Sequence, residues 1–456
     1  MKLDYCSLFS KKNFYILFAI VLVLKIALIC GMFYKDPGLL ISPDSTDYIN
    51  FAKQFVSQGL LIPDVTTSPA GLNEIGPGYP LLMSFFYLFI DSILLQVIIN
   101  VVMGHLISFF AYKIGLLLFK NHVLSFIAAA AVMLNPTIVF YSRVVLKESI
   151  TGFLFIWLIY LIILYFIDGK EGVSFKSYLW RILGAGALST YLIHTDERFI
   201  IHIFLIMLII ILFHSVRFRK RLLIAVSYGA FILLLSVPWA ARNNVVFGRP
   251  IFLSYRTASY SDSLFSKLGY EWKEIVAPIN TSHIYGSISI SEAAIDSIAA
   301  GLSPSSVRLR AEENIRLGLD NGVRPHGFST MRRYLSNFSE FFKLVDLDND
   351  FRASGYKFSK EWPLHQNVAS LLSWGIFIPG FIVALLIAYR NRIIIFMFLL
   401  IAMHASFHIF IAYVVYRYRT PVTPFVILGG VYGYWLLHTM WRQKSVEKLS
   451  TEGVEL

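Results

Sequence analysis

Apolar residues run along this chain in long, nearly unbroken blocks, and polar residues gather in the stretches between them. The blocks are Phe14–Phe33, Ile93–Phe119, Val123–Tyr141, Ser149–Ile167, Leu179–Ile193, Phe199–Phe213, Leu222–Ala240, Val368–Tyr389, Ile393–Tyr416 and Val422–Trp441. Lipid offers no partner to an unpaired backbone group, so apolar blocks of this length predict helices that cross a membrane, about ten in all. Phe14–Phe33 is too long for the apolar region of a signal peptide and ends without a small-residue cleavage site. It reads as an uncleaved first span.

One stretch departs from this pattern. Ile41–Gln58 opens with Pro43 and the polar run Asp44, Ser45, Thr46 and Asp47, then turns amphipathic. Tyr48, Ala52 and Phe55 fall on one helical face with Ile49 and Val56 beside them, and Gly59 follows. At about 14 residues the helix is too short to span a bilayer and suits the membrane surface. Asp44 then sits at the positive end of a helix, at headgroup level. Two readings are open: Asp44 caps the helix, or it is a reactive carboxylate.

The polar stretches also divide the chain. Residues 1–240 form an N-terminal membrane part, 241–365 a segment outside the bilayer, 366–441 the last membrane helices, and 442–456 a tail. Within the outer segment, Ser291–Gly301, Pro304–Leu319 and Ser329–Val345 read as short helices. That segment holds no cysteine, so it is expected to pack down on the membrane part.

Composition agrees with the pattern: 57% of residues are hydrophobic and 15% charged, with a mean hydropathy of +0.65, outside the soluble globular range. The net charge of +12 would suggest nucleic acid in a soluble protein. Here the basic residues crowd into alternate connections: Lys11, Lys12, Lys120, Lys170, Lys176, Val216–Arg221, Tyr389–Arg392 and the tail from Arg442. That is the positive-inside signature, so no nucleic-acid partner is expected and both termini are assigned to the cytoplasm. The two cysteines, Cys6 and Cys30, belong to no metal motif and are poor disulfide partners.

The opposite face then receives Asp44, the loop Ser142–Ser149, the loop His194–Arg198, the segment from Arg242 to His365, and Tyr416–Pro421. Polar clusters scattered at random would divide between the two faces. Their gathering on one predicts a single extracytoplasmic site.

With these pieces placed, the chain resembles a family. The Asp44 loop is followed by PGYPLLMSFFYLF (Pro77–Phe89), NPTIVFYSRVVLKES (Asn135–Ser149), PWAARNNVVFGRP (Pro238–Pro250) and RYRTPVTPFVILGG (Arg417–Gly430). This is similar to the GT-C superfamily of membrane glycosyltransferases, nearest the bacterial relatives of dolichyl-phosphate-mannose protein mannosyltransferases and the aminoarabinose transferases. The resemblance covers Phe14 to Trp441, while Tyr255–Gly322 resembles no family.

What the resemblance implies is an inverting hexosyl- or pentosyltransferase of the bacterial inner membrane. Its donor is a sugar on a polyprenyl phosphate, and its acceptor a glycolipid, polysaccharide or protein of the cell envelope. Such a donor needs no nucleotide-binding fold, and no phosphate-binding glycine motif follows a strand pattern here. By the same resemblance Asp44 is the general base, with Asp47 as fallback, and Glu148 orients or activates the acceptor. Arg417 and Arg419 are the leading phosphate contacts; Lys147, Arg198 and Arg242 complete the substrate-binding set.

Each also has a bland reading. Lys147 and Glu148 can be an ion pair at a helix start, and Arg417 and Arg419 interfacial anchors. His194, Asp196 and Glu197 are metal-capable, as a divalent cation serves some distant GT-C members, or simply a hydrogen-bonded loop. No metal or cofactor is expected. His404 and His408 share a helix face and read as hydrogen-bonding partners inside the bundle. Two other functions stay open: a polysaccharide polymerase or ligase, and a lipid-linked glycan transporter.

Overall fold

The structure, a computed structural model, describes residues 9–59, 76–167, 175–213, 217–247, 252–253, 335, 338, 341–342, 368, 371–411 and 416–451. Among them the chain is helical with no strand, an all-α polytopic membrane protein. The helices are α1 (Lys11–Lys35), α2 (Pro43–Gln58), α3 (Gly78–Tyr87), α4 (Ile93–Phe119), α5 (His122–Met133), α6 (Pro136–Ser142) and α7 (Glu148–Ile162). After these come α8 (Phe175–Thr195), α9 (Ile200–Phe213), α10 (Phe218–Phe247), α11 (Phe377–Ile387), α12 (Arg392–Ser406) and α13 (Thr423–Thr451).

The described residues of the predicted apolar blocks are mostly helical, but ten spans are not confirmed. Among the described residues, five helices are long and apolar enough to cross a membrane: α1, α4, α7, α10 and α12, the α7 and α12 spans running on into the π-helical turns that follow them. A sixth arises if α5 and α6, bent by 49° at Leu134–Asn135, are one span. Three of the remaining blocks fall short for visible reasons. α9 has 14 residues, and Val368–Tyr389 is interrupted by a π-turn at Leu371–Gly375 before the 11-residue α11. In α13, glycines, tyrosines and a tryptophan dilute the apolar run. The proposed helices Ser291–Gly301 and Pro304–Leu319 lie outside the described residues. Of Ser329–Val345 only 335, 338 and 341–342 are described, and there Phe341 is buried against Trp374, ring centroids 6.0 Å apart.

The core is built around α4, which packs on α1, α5, α7 and α13. At one end Phe14 stacks on Tyr112, centroids 4.1 Å apart. Midway along α1, Lys25 Nζ donates to Met133 O at 2.8 Å, the last turn of α5 before the bend. A lysine inside a span needs such partners, because lipid supplies none.

α11 and α13 touch backbone to backbone. A β-carbon on Gly433 would overlap the Gly380 carbonyl oxygen, and one on Gly429 would overlap the Phe381 ring. Small residues allow close approach where no hydrophobic force between helices is available in lipid. Gly433→Ala is therefore expected to force the pair apart at a cost of about 1–3 kcal/mol. A thermal shift in detergent checks this, and an unchanged melting temperature would disprove the close packing.

α2 lies as the amphipathic pattern requires. Tyr48, Phe51, Ala52 and Phe55 are buried, while Val56 is exposed. Its start is held by serines rather than by Asp44: the Ser42 backbone N–H donates to Ser45 Oγ at 2.8 Å, and the two hydroxyls are 3.0 Å apart. Pro43 stands in the first turn, where its missing N–H costs nothing. Asp44 is thus not needed as the cap.

Candidate functional site at the helix-end loops

Three loops remote in sequence are tied into one scaffold. Ser45 Oγ donates to Val145 O at 2.7 Å, and Val145 N–H to Leu40 O at 3.1 Å. This joins the start of α2 to the loop before α7. From the middle of that assembly Asn100, buried on α4, places Nδ2 2.8 Å from Val144 O, 3.1 Å from Leu146 O and 2.8 Å from Tyr79 Oη. Gly76 and Gly78 press against the His194 and Thr195 backbone so closely that a β-carbon on either would overlap it. The loop His194–Arg198 is thereby fixed to the same frame.

On this frame Arg417, in the 3₁₀ turn Tyr416–Arg419, reaches two carboxylates. Its Nη2 lies 2.6 Å from Asp44 Oδ2. Its Nε lies 3.4 Å from Glu148 Oε1, an ion-pair contact without hydrogen-bond geometry. The carboxylates differ in surroundings. The Asp44 side chain is 44% exposed, the Glu148 side chain 5%, and Arg417 between them 23%. Glu148 Oε2 is buried with no hydrogen-bond partner. Glu148 also opens α7, where the helix dipole favours its negative charge. Burial opposes the Arg417 charge, but Glu148, Tyr418 and Asp44 around it more than compensate, and its pKa is raised. One turn along α2, Asp47 has its pKa raised by burial and by the Asp44 charge.

A second ionic group adjoins the first. Asp196 accepts from Arg198 Nε at 2.7 Å and from Arg198 Nη2, and Lys147 Nζ lies 3.6 Å from the same Oδ1. Burial would raise the Asp196 pKa, but the charges of Arg198 and Lys147 and the Arg198 hydrogen bonds override it. The carboxyl is held well below the usual carboxylate range. The Arg198 guanidinium lies 3.7 Å over the Tyr418 ring, and His408 stacks on the same ring with centroids 4.8 Å apart. His404 Nε2 donates to Tyr418 O at 2.7 Å, fixing its tautomer, because a carbonyl only accepts.

The structure therefore brings Asp44, Glu148 and Arg417 into direct contact, and Lys147, Asp196 and Arg198 beside them. Arg419 takes a different direction: it is buried with its guanidinium 5.4 Å from the Trp374 ring. Arg242 is buried at the end of α10, donating from Nη1 to Asn243 Oδ1 at 2.9 Å and lying 4.8 Å over Trp239. His194, Asp196 and Glu197 do not converge as metal ligands. His194 Nε2 faces Ser236 Oγ at 3.1 Å while Asp196 is filled by two cations. Among the described residues no group of three or more His, Cys, Asp or Glu is arranged to hold a metal ion. His404 and His408 share a face as expected, centroids 4.9 Å apart, and His202 adds a third ring 5.2 Å from His404.

Sequence reasoning passed over Asn100, Tyr79 and His202. Asn100 and His202 carry a readable signal, being polar residues inside apolar blocks. Tyr79 carries none, since interfacial tyrosines are common.

No family model matches the chain, and no curated protein matches it in sequence. Among solved structures, the archaeal oligosaccharyltransferase AglB from Archaeoglobus fulgidus, in complex with an inhibitory peptide and a dolichol-phosphate, matches 96% of this chain at 14% identity with a TM-score of 0.49. The match covers 52% of AglB, so this chain spans about half its length. At that level of likeness neither AglB's ligands nor its site residues carry over.

Proposed function

We propose that this chain is a GT-C type glycosyltransferase that moves a sugar, with inversion, from a polyprenyl-phosphate-linked donor to an acceptor of the bacterial cell envelope. The observation that carries the reading is the Asp44–Arg417–Glu148 contact, in which three segments far apart in sequence meet at the ends of apolar helices. The motifs those segments belong to are the ones that resemble the GT-C superfamily.

The chemistry needs a base and a counter-charge. The acceptor hydroxyl attacks the anomeric carbon from the side opposite the phosphate as Asp44 takes its proton. The bond from the sugar to the phosphate oxygen breaks, and its electron pair leaves with the polyprenyl phosphate. The transition state is oxocarbenium-like, as in other glycosyl transfers. Charge-assisted bonds from the site's cations stabilise the departing phosphate. Glu148, buried beside Arg417, orients that arginine and the acceptor. A donor with a long lipid tail enters sideways from the bilayer, which suits a base on a helix lying along the surface.

Reconstituted protein given a polyprenyl-phosphate sugar and envelope acceptors tests the reading. Release of polyprenyl phosphate with a glycosylated product is expected. Passage of the intact lipid-linked sugar across the bilayer, with no bond broken, would make the protein a transporter instead.

The proposed orientation has its own check. Thr46 and Arg219 are both exposed and are assigned to opposite faces. Thr46→Cys in intact cells should react with an impermeant thiol reagent, and Arg219→Cys only after permeabilisation. The reverse pattern would invert the topology.

A further inference from the structure

The Asp44–Arg417 contact sets a problem for the transferase reading on which this inference rests. Asp44 Oδ2 is held at 2.6 Å by the Arg417 guanidinium, which must let it go before that oxygen can accept a proton. A phosphate arriving at Arg417 would find its Nη2 already taken up by Asp44. The two difficulties have one solution.

We propose that Asp44 and the donor phosphate compete for Arg417, with Glu148 as the positioning residue that keeps the guanidinium in place during the exchange. Donor binding then frees the base, and the acceptor is deprotonated only when a sugar is ready to receive it. The burial pattern selects which carboxylate leaves. Asp44 is 44% exposed on the outer turn of α2 and can swing into water. Glu148 is 5% exposed at the start of α7 and has no such path. The α2 helix does not depend on Asp44 staying put, since Ser42 and Ser45 hold its start.

The arginine suits the exchange as a lysine would not. Its fork keeps Nε toward Glu148 while Nη2, released by Asp44, turns to a phosphate oxygen. Lys147 and Arg198 do not replace Arg417 as partners of Asp44, because Asp196 engages both.

The proposal makes a prediction opposite in sign for binding and for turnover. The probe is farnesyl phosphate, titrated against full-length protein in detergent. Asp44→Asn should bind it roughly 5- to 30-fold more tightly than the wild type, since a neutral amide competes less well for Arg417, while transfer collapses. Asp44→Ser, which cannot hold the arginine at all, should do the same and guards against a fault peculiar to asparagine. Glu148→Gln should bind more weakly, its arginine loosened, and Arg417→Lys should lose at least tenfold.

Asp47→Asn controls for charge alone, since it removes a carboxylate one turn away that has no contact with Arg417 among the described ion pairs. An equal gain in Asp47→Asn would reduce the effect to general electrostatics and overturn the exchange. Unchanged or weaker binding in both Asp44 variants would overturn it as well, leaving the transferase reading intact. A wild type that binds no farnesyl phosphate would remove that reading itself. Inorganic phosphate binding as tightly as farnesyl phosphate would show a site for the free ion, and donor-first binding would fall.

Discussion

Asp44→Asn should insert and fold as the wild type does and lose nearly all transfer, by about 10²–10⁴-fold, the usual range for a missing general base. The structure sharpens the reason to expect intact folding. The start of α2 is held by Ser42 and Ser45, and Ser45 carries the tie to Val145 O. Asparagine keeps the shape of the side chain and can still accept from Arg417, but it cannot take a proton. The loss should therefore fall on the catalytic step, with donor binding improved. Single-turnover rates measured on variant protein of normal melting temperature check this. A well-folded Asp44→Asn with near-normal turnover would leave Asp44 as a mere counter-ion of Arg417, and Glu148 would be the next base to test.

Asp196→Ala should act on stability rather than chemistry, by about 3–5 kcal/mol, the range for removing one partner of a buried ion pair. Asp196 is 2% exposed and pairs with two cations at once. Without it Arg198 and Lys147 are left facing each other with no carboxylate between them, while Arg198 still lies over Tyr418. The test is thermal unfolding in detergent. Asp196→Ala should melt far below the wild type, and adding Arg198→Leu should restore part of the loss, since the stranded charge is then gone. Additive losses would show that the pair is not coupled.

The pH dependence follows from the same group. Because the folded-state pKa of Asp196 is depressed, its contribution is present above the unfolded value of about 3.9 and fades as pH falls through the folded value. No loss from this group is expected between about pH 5 and 8.

The membrane class, the helices and the short amphipathic α2 were legible in the sequence because each depends on local hydropathy and period. A block such as Ile93–Phe119 is a helix wherever it lies, since lipid allows no other pairing of its backbone. The buried face of α2, Tyr48, Ala52 and Phe55, followed from helical spacing alone. The number of spans was less legible. The bend that divides Val123–Tyr141 falls at Asn135–Pro136, a helix-breaking pair that the sequence does show, whereas the π-turn in Val368–Tyr389 has no such local signal.

The candidate site was half visible. Charge asymmetry could bring Asp44, Glu148, Asp196, Arg198 and Arg417 to one face, but it acts on whole loops and has no say in which side chains touch. Arg417 and Arg419 are two residues apart in one motif and looked equivalent. A 3₁₀ turn brings the first to Asp44 and Glu148 and buries the second beside Trp374. Lys147 and Glu148 looked like one another's partners. The start of α7 hands Lys147 to Asp196 and Glu148 to Arg417. Sequence determined that the charges share a surface, because hydropathy and charge act locally along the chain. Tertiary structure decided their pairing, because that turns on contacts such as Ser45 to Val145, a hundred residues apart, and on Asn100 reaching from the core to hold the loop between them.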